Sequence, residues 1–455
     1  MKDRTHKALL RADAARFPGF EAGEVLSFQR RLDDSQWFTA ERIVGYQLQQ
    51  LKALVKFSAT SVDAYKDSID FERVADAATL EAALAAIPLL PRGRLAEEPL
   101  SFRAMDLPAG QSFAGIKQSS GTSGHMVSVE TTNLAFGWQN ALTLRAQLWA
   151  NRDFNLPAAS IRKDRRAAAP YPDGTTTEAW GTATIFPFKT GPASFLGATS
   201  SLEQQWEWLS RMKPSYLQTY PSIVRAFASR AQKEGRGPCA LKGITTVGET
   251  VDADLRDEAR RYLGAEVFDI YSAEEIGILA IQCPECRRYH AQDEALIVEI
   301  LDDAGQACGP GITGRVVVTP LFNYATPLLR YDMGDIAEVG TACACGRGLR
   351  TINRIFGRQR NIFKLADGRT FWPSVGAKQF SSFVNIRQHQ FRQLAHDQLE
   401  VVLAVEGAVA PEHEERVRAT ILKKLPAPME ISFRYVDEIP REASGKYQEF
   451  VCLVP

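Results

Sequence analysis

The sequence predicts an α/β chain of two domains, and three observations predict it. Its 455 residues exceed the usual size of one domain, and 45% of them are hydrophobic, enough for a large core. Through the middle of the chain, short apolar runs alternate with amphipathic stretches of helical period, the α/β pattern. The hydrophobic pattern then weakens around Gly357–Asn361 and resumes as a smaller α+β unit. The expected division is a large multi-layer α/β domain over 1–357 and a small α+β domain over 360–455.

In chain order, the first ~90 residues read as mostly helical. Leu48, Leu51, Leu54 and Val55 recur at helical spacing, Ala77–Ile87 repeats the stripe, and Pro88 and Pro91 close the section. Thr131 to about Ala150 reads as a helix, and the charged, turn-rich Ser160–Thr177 as a surface loop. Ser200–Arg211, Pro221–Lys233 and Asp254–Leu263 read as helices, with Ala265–Tyr271 as the strand that follows. Ala295–Ile300 and Gly314–Thr319 read as strands either side of a glycine-rich turn at Asp302–Gly311. The small domain is expected to hold a strand near Glu400–Val405, a helix Glu412–Lys424 and a strand Ile431–Val436.

Composition narrows the partners. Lys plus Arg equals Asp plus Glu at 54 each, so no net charge draws the chain to nucleic acid or an acidic membrane. The start MKDRTHKALLRADAARF has no apolar h-region, and no run is long enough to span a bilayer, so membrane insertion is not expected. Seven cysteines without a secretion signal point to the cytoplasm, where paired cysteines more often bind metal than form disulfides.

Chemistry gathers in a few short stretches. In Gln118–Thr132, the run Ser119, Ser120, Gly121, Thr122, Ser123, Gly124 can wrap an anion with hydroxyls and backbone N–H groups. The same composition also makes ordinary hairpin turns, and no lysine follows Gly124 as a P-loop requires. After it come Thr246–Thr250 (TVGET), Tyr271–Gly277 (YSAEEIG), Pro327–Asp335 (PLLRYDMGD), Gly357–Lys364 (GRQRNIFK) and Arg441–Lys446 (REASGK). Cys283 and Cys286 form one close pair and Cys343 and Cys345 another, the donor set of a tetrahedral structural zinc site. His290 is the alternative to Cys286 as fourth ligand.

Together and in this order, these stretches resemble the adenylate-forming superfamily, which activates carboxylates with ATP. Ala86–Leu95 (AIPLLPRGRL) and the CPECRRYH segment after YSAEEIG narrow the resemblance to the phenylacetate–CoA ligase branch and its capsule-biosynthesis-like relatives. The resemblance covers roughly Leu48 to Val451. It implies that Ser119–Gly124 covers the β- and γ-phosphates, that Glu275 holds Mg2+ and that Asp335, assisted by Arg358, grips the ribose. Tyr271 would lie against adenine, with Gly248, Glu249 and Ser272 beside the nucleotide. Lys446 would supply positive charge where two anions must meet. By the same resemblance the small domain is a mobile lid pivoting at Arg360, and the acyl pocket draws on Trp138, Phe186, Tyr220 and Gly248. Met126 and Ser128 near the phosphate loop, and Ser272 and Glu274 in the tyrosine-led motif, depart from the family pattern.

The implied reaction joins a small-molecule, flat or aromatic, carboxylate to AMP and then to coenzyme A. Transfer to a carrier protein, an amine or another nucleophile is the alternative. A zinc-stapled nucleotide-binding scaffold without activity is the third reading.

Overall fold

The computed structural model describes residues 20–119, 126–163, 169–185, 187–358, 362–371, 384–442 and 445–454. It falls into two compact units, Met1–Ile355 and Phe356–Pro455. Ser120–Gly124, Phe186 and the pivot residue Arg360 lie outside the described residues.

One 13-stranded sheet organises the large unit. Ala193–Gly197, Ala158–Arg162, Tyr216–Thr219, Gly243–Val247 and Glu266–Ala273 pair in parallel. Beyond this block the sheet turns antiparallel: Glu266–Ala273 pairs with Gly277–Gln282, which pairs with Tyr289–Ala291. Glu266–Ala273 is therefore the seam, parallel to one neighbour and antiparallel to the other. Open α/β sheets bind ligands at the carboxyl ends of strands where the winding changes. The YSAEEIG stretch leaves the sheet at this place.

Local sequence explains the helices around the sheet. Ala40–Ser61 starts where Thr39 accepts a hydrogen bond from the Arg42 N–H, and it buries Leu51, Leu54 and Val55. Asn133–Trp149 starts where Thr132 accepts from the Ala135 N–H. Apolar residues surround nearly its whole circumference because it lies inside the unit rather than on it. Pro221–Glu234 begins with proline at its first position, and Gly235 ends it in the left-handed conformation.

The stretch Ser160–Thr177, expected as a loop, begins as the end of a buried strand, Ala158–Arg162. Flanking charge hid it, since its apolar core AASI is four residues long.

The small unit is a four-stranded sheet in the order Glu430–Tyr435, Gln398–Val405, Ile386–Ala395, Phe450–Cys452, with the helix Pro411–Leu422. Phe363, Phe391, Val401 and Ile421 belong to its core. The inner strand Ile386–Ala395 was not anticipated. Its sequence IRQHQFRQLA is mostly polar, and the buried polar groups are paired. Gln393 brackets Lys364, accepting from its N–H at 2.8 Å and donating to its carbonyl at 2.6 Å, as a neighbouring strand would.

Among the described residues no helix is long and apolar enough to cross a membrane.

Arg145 binds three segments of the large unit at once. Its fully buried guanidinium donates to Glu294 at 2.9 and 3.1 Å, to Gln292 Oε1 at 2.9 Å and to the Leu32 carbonyl at 2.5 Å. Arg145→Met should lower the unfolding free energy by about 3–5 kcal/mol, because Glu294 is left buried without its partner. Chemical denaturation at constant pH measures this.

Candidate functional site

The seam carries two linked side-chain clusters. Tyr271, at the end of the seam strand, donates its phenol to Asp335 Oδ2 at 2.7 Å, with both residues buried. Four residues on, in the turn before Gly277–Gln282, Glu275 is almost wholly enclosed. Arg92 ion-pairs with Glu275 Oε1, and the Tyr331 phenol donates to the same oxygen at 3.1 Å. Arg92 also donates to the Tyr331 oxygen at 2.7 Å.

Backbone pairing holds these groups in register. Leu90 and Pro91 lie parallel to Tyr331 and Asp332, which delivers Arg92 to the start of the strand Tyr331–Val339. The tyrosine-led motif and PLLRYDMGD, about 60 residues apart in sequence, thus meet through two sets of hydrogen bonds. Arg92 and Tyr331 were not singled out from the sequence, although both lie inside quoted stretches, AIPLLPRGRL and PLLRYDMGD.

Glu249 serves the adjoining helix. Its carboxylate accepts from the Ser222 N–H at 2.8 Å and the Ser222 hydroxyl at 3.1 Å, capping the start of Pro221–Glu234. Gly248, with φ of 79°, turns the chain out of the strand Gly243–Val247 just before it. Ser272 is half-buried on the seam strand.

Ser119 is the one residue of the expected phosphate loop that is described, and it is buried. Its N–H donates to the Val127 carbonyl and its hydroxyl accepts from the Val127 N–H, both at 2.9 Å. It thus locks the base of the hairpin whose strands are Phe113–Gln118 and Ser128–Thr132.

Trp138 is core rather than pocket lining. It is stacked on Phe322 with centroids 4.5 Å apart and on Phe28 at 4.9 Å. Tyr220 is likewise buried, its phenol accepting from the Lys163 N–H at 3.1 Å. Arg358 ends the strand Thr351–Arg358. Lys446 lies half-buried in the small unit, in a turn where its carbonyl accepts from the Glu442 N–H at 3.0 Å.

A second cluster gathers Cys283, His290, Cys343 and Cys345, whose donor atoms all lie within 4.8 Å of one another. Cys283 and Cys343 sulfurs are 3.8 Å apart, and Cys345 Sγ is 3.3 Å from His290 Nε2. The edge of a tetrahedron about a thiolate-ligated zinc is about 3.8 Å, so three thiols and an imidazole at these spacings suit that ion. Nδ1 of His290 faces the Leu349 carbonyl at 3.3 Å, which leaves Nε2 to point at the thiols. Burial pushes the His290 pKa down to about 4, so the ring is neutral near pH 7.

Burial pushes the Cys345 thiol up, but hydrogen bonds from Arg347 outweigh it and hold the thiol below its usual value. Cys286, placed in the ligand set from its CxxC spacing, is exposed and stands outside the cluster of four, 2.8 Å from Cys343 Sγ. The pairing of Ile281 with His290 carries His290 back beside the loop that Cys283 begins. That register is invisible in a CxxC count.

Residues 375–452 match the CapK C-terminal domain family. Over 334 residues the chain is 27% identical to a phenylacetate-coenzyme A ligase of Thermus thermophilus, covering 70% of this chain and 71% of that protein. A structure of 2-hydroxyisobutyryl-CoA ligase with its acyl-AMP superposes with a TM-score of 0.70 at 17% identity, over 93% of each chain. A benzoate CoA ligase from Burkholderia xenovorans gives 0.54 at 15% identity, over 83% of this chain and 72% of that one. The fold is that of the adenylate-forming CoA ligases, and the family resemblance read from the six stretches is borne out.

Removing Arg92 should expose the cost of burying Glu275. Arg92→Met is expected to destabilise the protein by about 3 kcal/mol, and Glu275→Gln added to it should recover more than about 1 kcal/mol. Urea denaturation of the wild type, both single variants and the double variant closes this cycle.

Proposed function

We propose that this chain, an adenylate-forming protein of the phenylacetate–CoA ligase branch, is an AMP-forming acid–thiol ligase. A small, flat carboxylate attacks the α-phosphate of ATP, giving an acyl-adenylate and pyrophosphate. The coenzyme A thiol then takes the acyl group and AMP leaves. The observation that carries this reading is the meeting of the tyrosine-led motif and PLLRYDMGD through Tyr271–Asp335 and Glu275–Tyr331 at the sheet seam. The flat or aromatic substrate is supported by the phenylacetate and benzoate ligases among the similar proteins.

Each residue has a role in that scheme. Asp335, which accepts from Tyr271, receives the ribose hydroxyls, and Arg358 assists. The loop that Ser119 anchors wraps the terminal phosphates, while Gly248, Glu249 and Ser272 shape the nucleotide's surroundings. Lys446 brings its ammonium to the α-phosphate and the attacking carboxylate, where like charges otherwise repel. The family assigns Mg2+ to Glu275, but Glu275 Oε1 here is neutralised by Arg92. Arg92 already supplies the cation beside that carboxylate, so these residues do not fit a metal there.

Zinc fits the second cluster, held by Cys283, His290, Cys343 and Cys345. Four protein ligands leave no open position, so the ion's contribution is structural. It ties the loop after Gly277–Gln282 to the loop after Tyr331–Val339, bracing both nucleotide motifs.

Purified protein should contain about one zinc per chain. His290→Ala is expected to lose the metal and lower the melting temperature, whereas Cys286→Ser should keep both, as elemental analysis and calorimetry would read. The reverse order would return Cys286 to the ligand set.

Carboxylate-dependent ATP–pyrophosphate exchange tests the reaction itself. A panel of aromatic acids should support exchange, and product should form only when coenzyme A is present. Product formation with another acceptor instead would move the second half-reaction to a carrier protein or amine. Lys446→Ala should slow exchange at least about 100-fold. It should retain thioester formation from preformed acyl-adenylate, since its transition state has passed by then. Equal losses in both half-reactions would remove Lys446 from this role.

A further inference from the structure

Arg152 follows the helix Asn133–Trp149 and is turned into the large unit, only 6% exposed. Among the described residues its side chain makes one hydrogen bond, from Nη2 to Thr245 Oγ1 at 2.9 Å. The guanidinium lies over the Tyr216 ring, 4.7 Å from its centroid. A Cβ built on Gly243 would stand 1.8 Å from Nη1, so the group rests directly on backbone that only glycine leaves bare. No carboxylate among the described residues pairs with it. Burial holds its pKa down to about 10, and the titratable group beside it is the Tyr216 phenol rather than an acid.

This is unusual within the same molecule. Arg145, equally buried, faces Glu294, and Arg92 faces Glu275. Buried charges are normally paired, because an isolated ion inside a protein forfeits its hydration. Arg152 forfeits that hydration and faces a cavity of about 70 Å³ instead.

The cavity is lined for an anion. Ser160, Gln218 and Thr245 stand side by side across three parallel strands and so share one face of the sheet. Gln147, on the helix that precedes Arg152, comes from the other side, and Trp180 and Tyr216 supply flat walls. Among the described residues neither the Gln147 nor the Gln218 amide is held by a side-chain hydrogen bond. A carboxylate group occupies about the volume of two waters, which this space admits.

We propose that this cavity is a carboxylate-binding site, anchored by the Arg152 guanidinium and flanked by the Gln147 and Gln218 amides. Two sources present that chemistry. One is the far end of a dicarboxylic acyl substrate. Thr245 lies three residues before Gly248, which follows the end of the strand Gly243–Val247, so the site lies about 10 Å down the sheet from the strand ends that carry the activation motifs. The other source is a separate small acid. The first rests on the acid–thiol ligase reading; carboxylate binding does not.

The test uses the full chain and two measurements. Thermal unfolding is followed in tens of millimolar sodium acetate against sodium chloride at equal ionic strength, and again with α,ω-dicarboxylates of increasing length. The wild type should gain about 2 °C or more over chloride, and Arg152→Gln should lose that gain. Absence of the gain in wild type, or an equal gain in folded Arg152→Gln, overturns the proposal. Should Arg152→Gln not fold, Gln218→Leu decides with the arginine retained: the carboxylate concentration giving half the gain should rise about threefold or more, and an unchanged value overturns the site.

Exchange kinetics then separate the sources. A dicarboxylic substrate predicts that Arg152→Gln raises KM for diacids at least about 10-fold more than for matched monoacids. Equal effects on both classes assign the site to a separate acid. If no acid supports exchange, the ligase reading fails while the thermal result still decides the binding site.

Discussion

The large unit depends on how it disposes of guanidinium groups that its sheet and helices enclose. Arg145 is the case on which most rests. Its Nη1 and Nη2 groups donate four hydrogen bonds, to Glu294, Gln292 and the Leu32 carbonyl, so the first helical segment, the buried helix Asn133–Trp149 and the chain just after the seam strands are held in one geometry. Nearby, Gln47 and Arg350 close on Asp293 in the same manner. These bonds are directional, as apolar contacts are not, so they set the depth of Asn133–Trp149 against the sheet. That depth in turn sets where the seam presents Tyr271 and Glu275.

The same logic grades the other buried arginines. Arg92 is compensated by Glu275 and Tyr331, and this compensation joins the YSAEEIG and PLLRYDMGD stretches. Among the described residues Arg152 is compensated only by a hydroxyl and an aromatic face. Three arginines of equal chemistry thus serve three purposes, distinguished by what the fold sets opposite each one.

Much of this was legible in the sequence, for identifiable reasons. Long apolar periodicities survived folding: the helices at Asn133–Trp149 and Pro221–Glu234 and the strands at Leu296–Leu301 and Thr313–Pro320 lie within a few residues of their expected ends. Motif order carries the superfamily resemblance, even where Ser272 and Glu274 depart, and AIPLLPRGRL with CPECRRYH narrows it to the branch. What escaped was whatever pairing alone decides. Ile386–Ala395 is a strand despite its polar side chains because it pairs on both edges, with Gln398–Val405 and Phe450–Cys452. His290 joins the thiols because an antiparallel register returns it to them. Trp138, expected in the acyl pocket, belongs to the core because it stacks on Phe322, a contact that sequence spacing does not show.

The thiol–imidazole cluster also has a consequence for how the chain is made. Cys283 and Cys343 are 60 residues apart, and both sides of the cluster must be present before it can close. At a synthesis rate of about 5–20 residues per second, the first half waits some 3–12 seconds for the second to emerge. During that interval Tyr289–Ala291 also lacks its later partner, Thr351–Arg358, and leaves a bare sheet edge. The thiols of Cys283 and Cys286 are then open to oxidants. Closure of the cluster therefore requires these thiols to stay reduced until the second pair has been made.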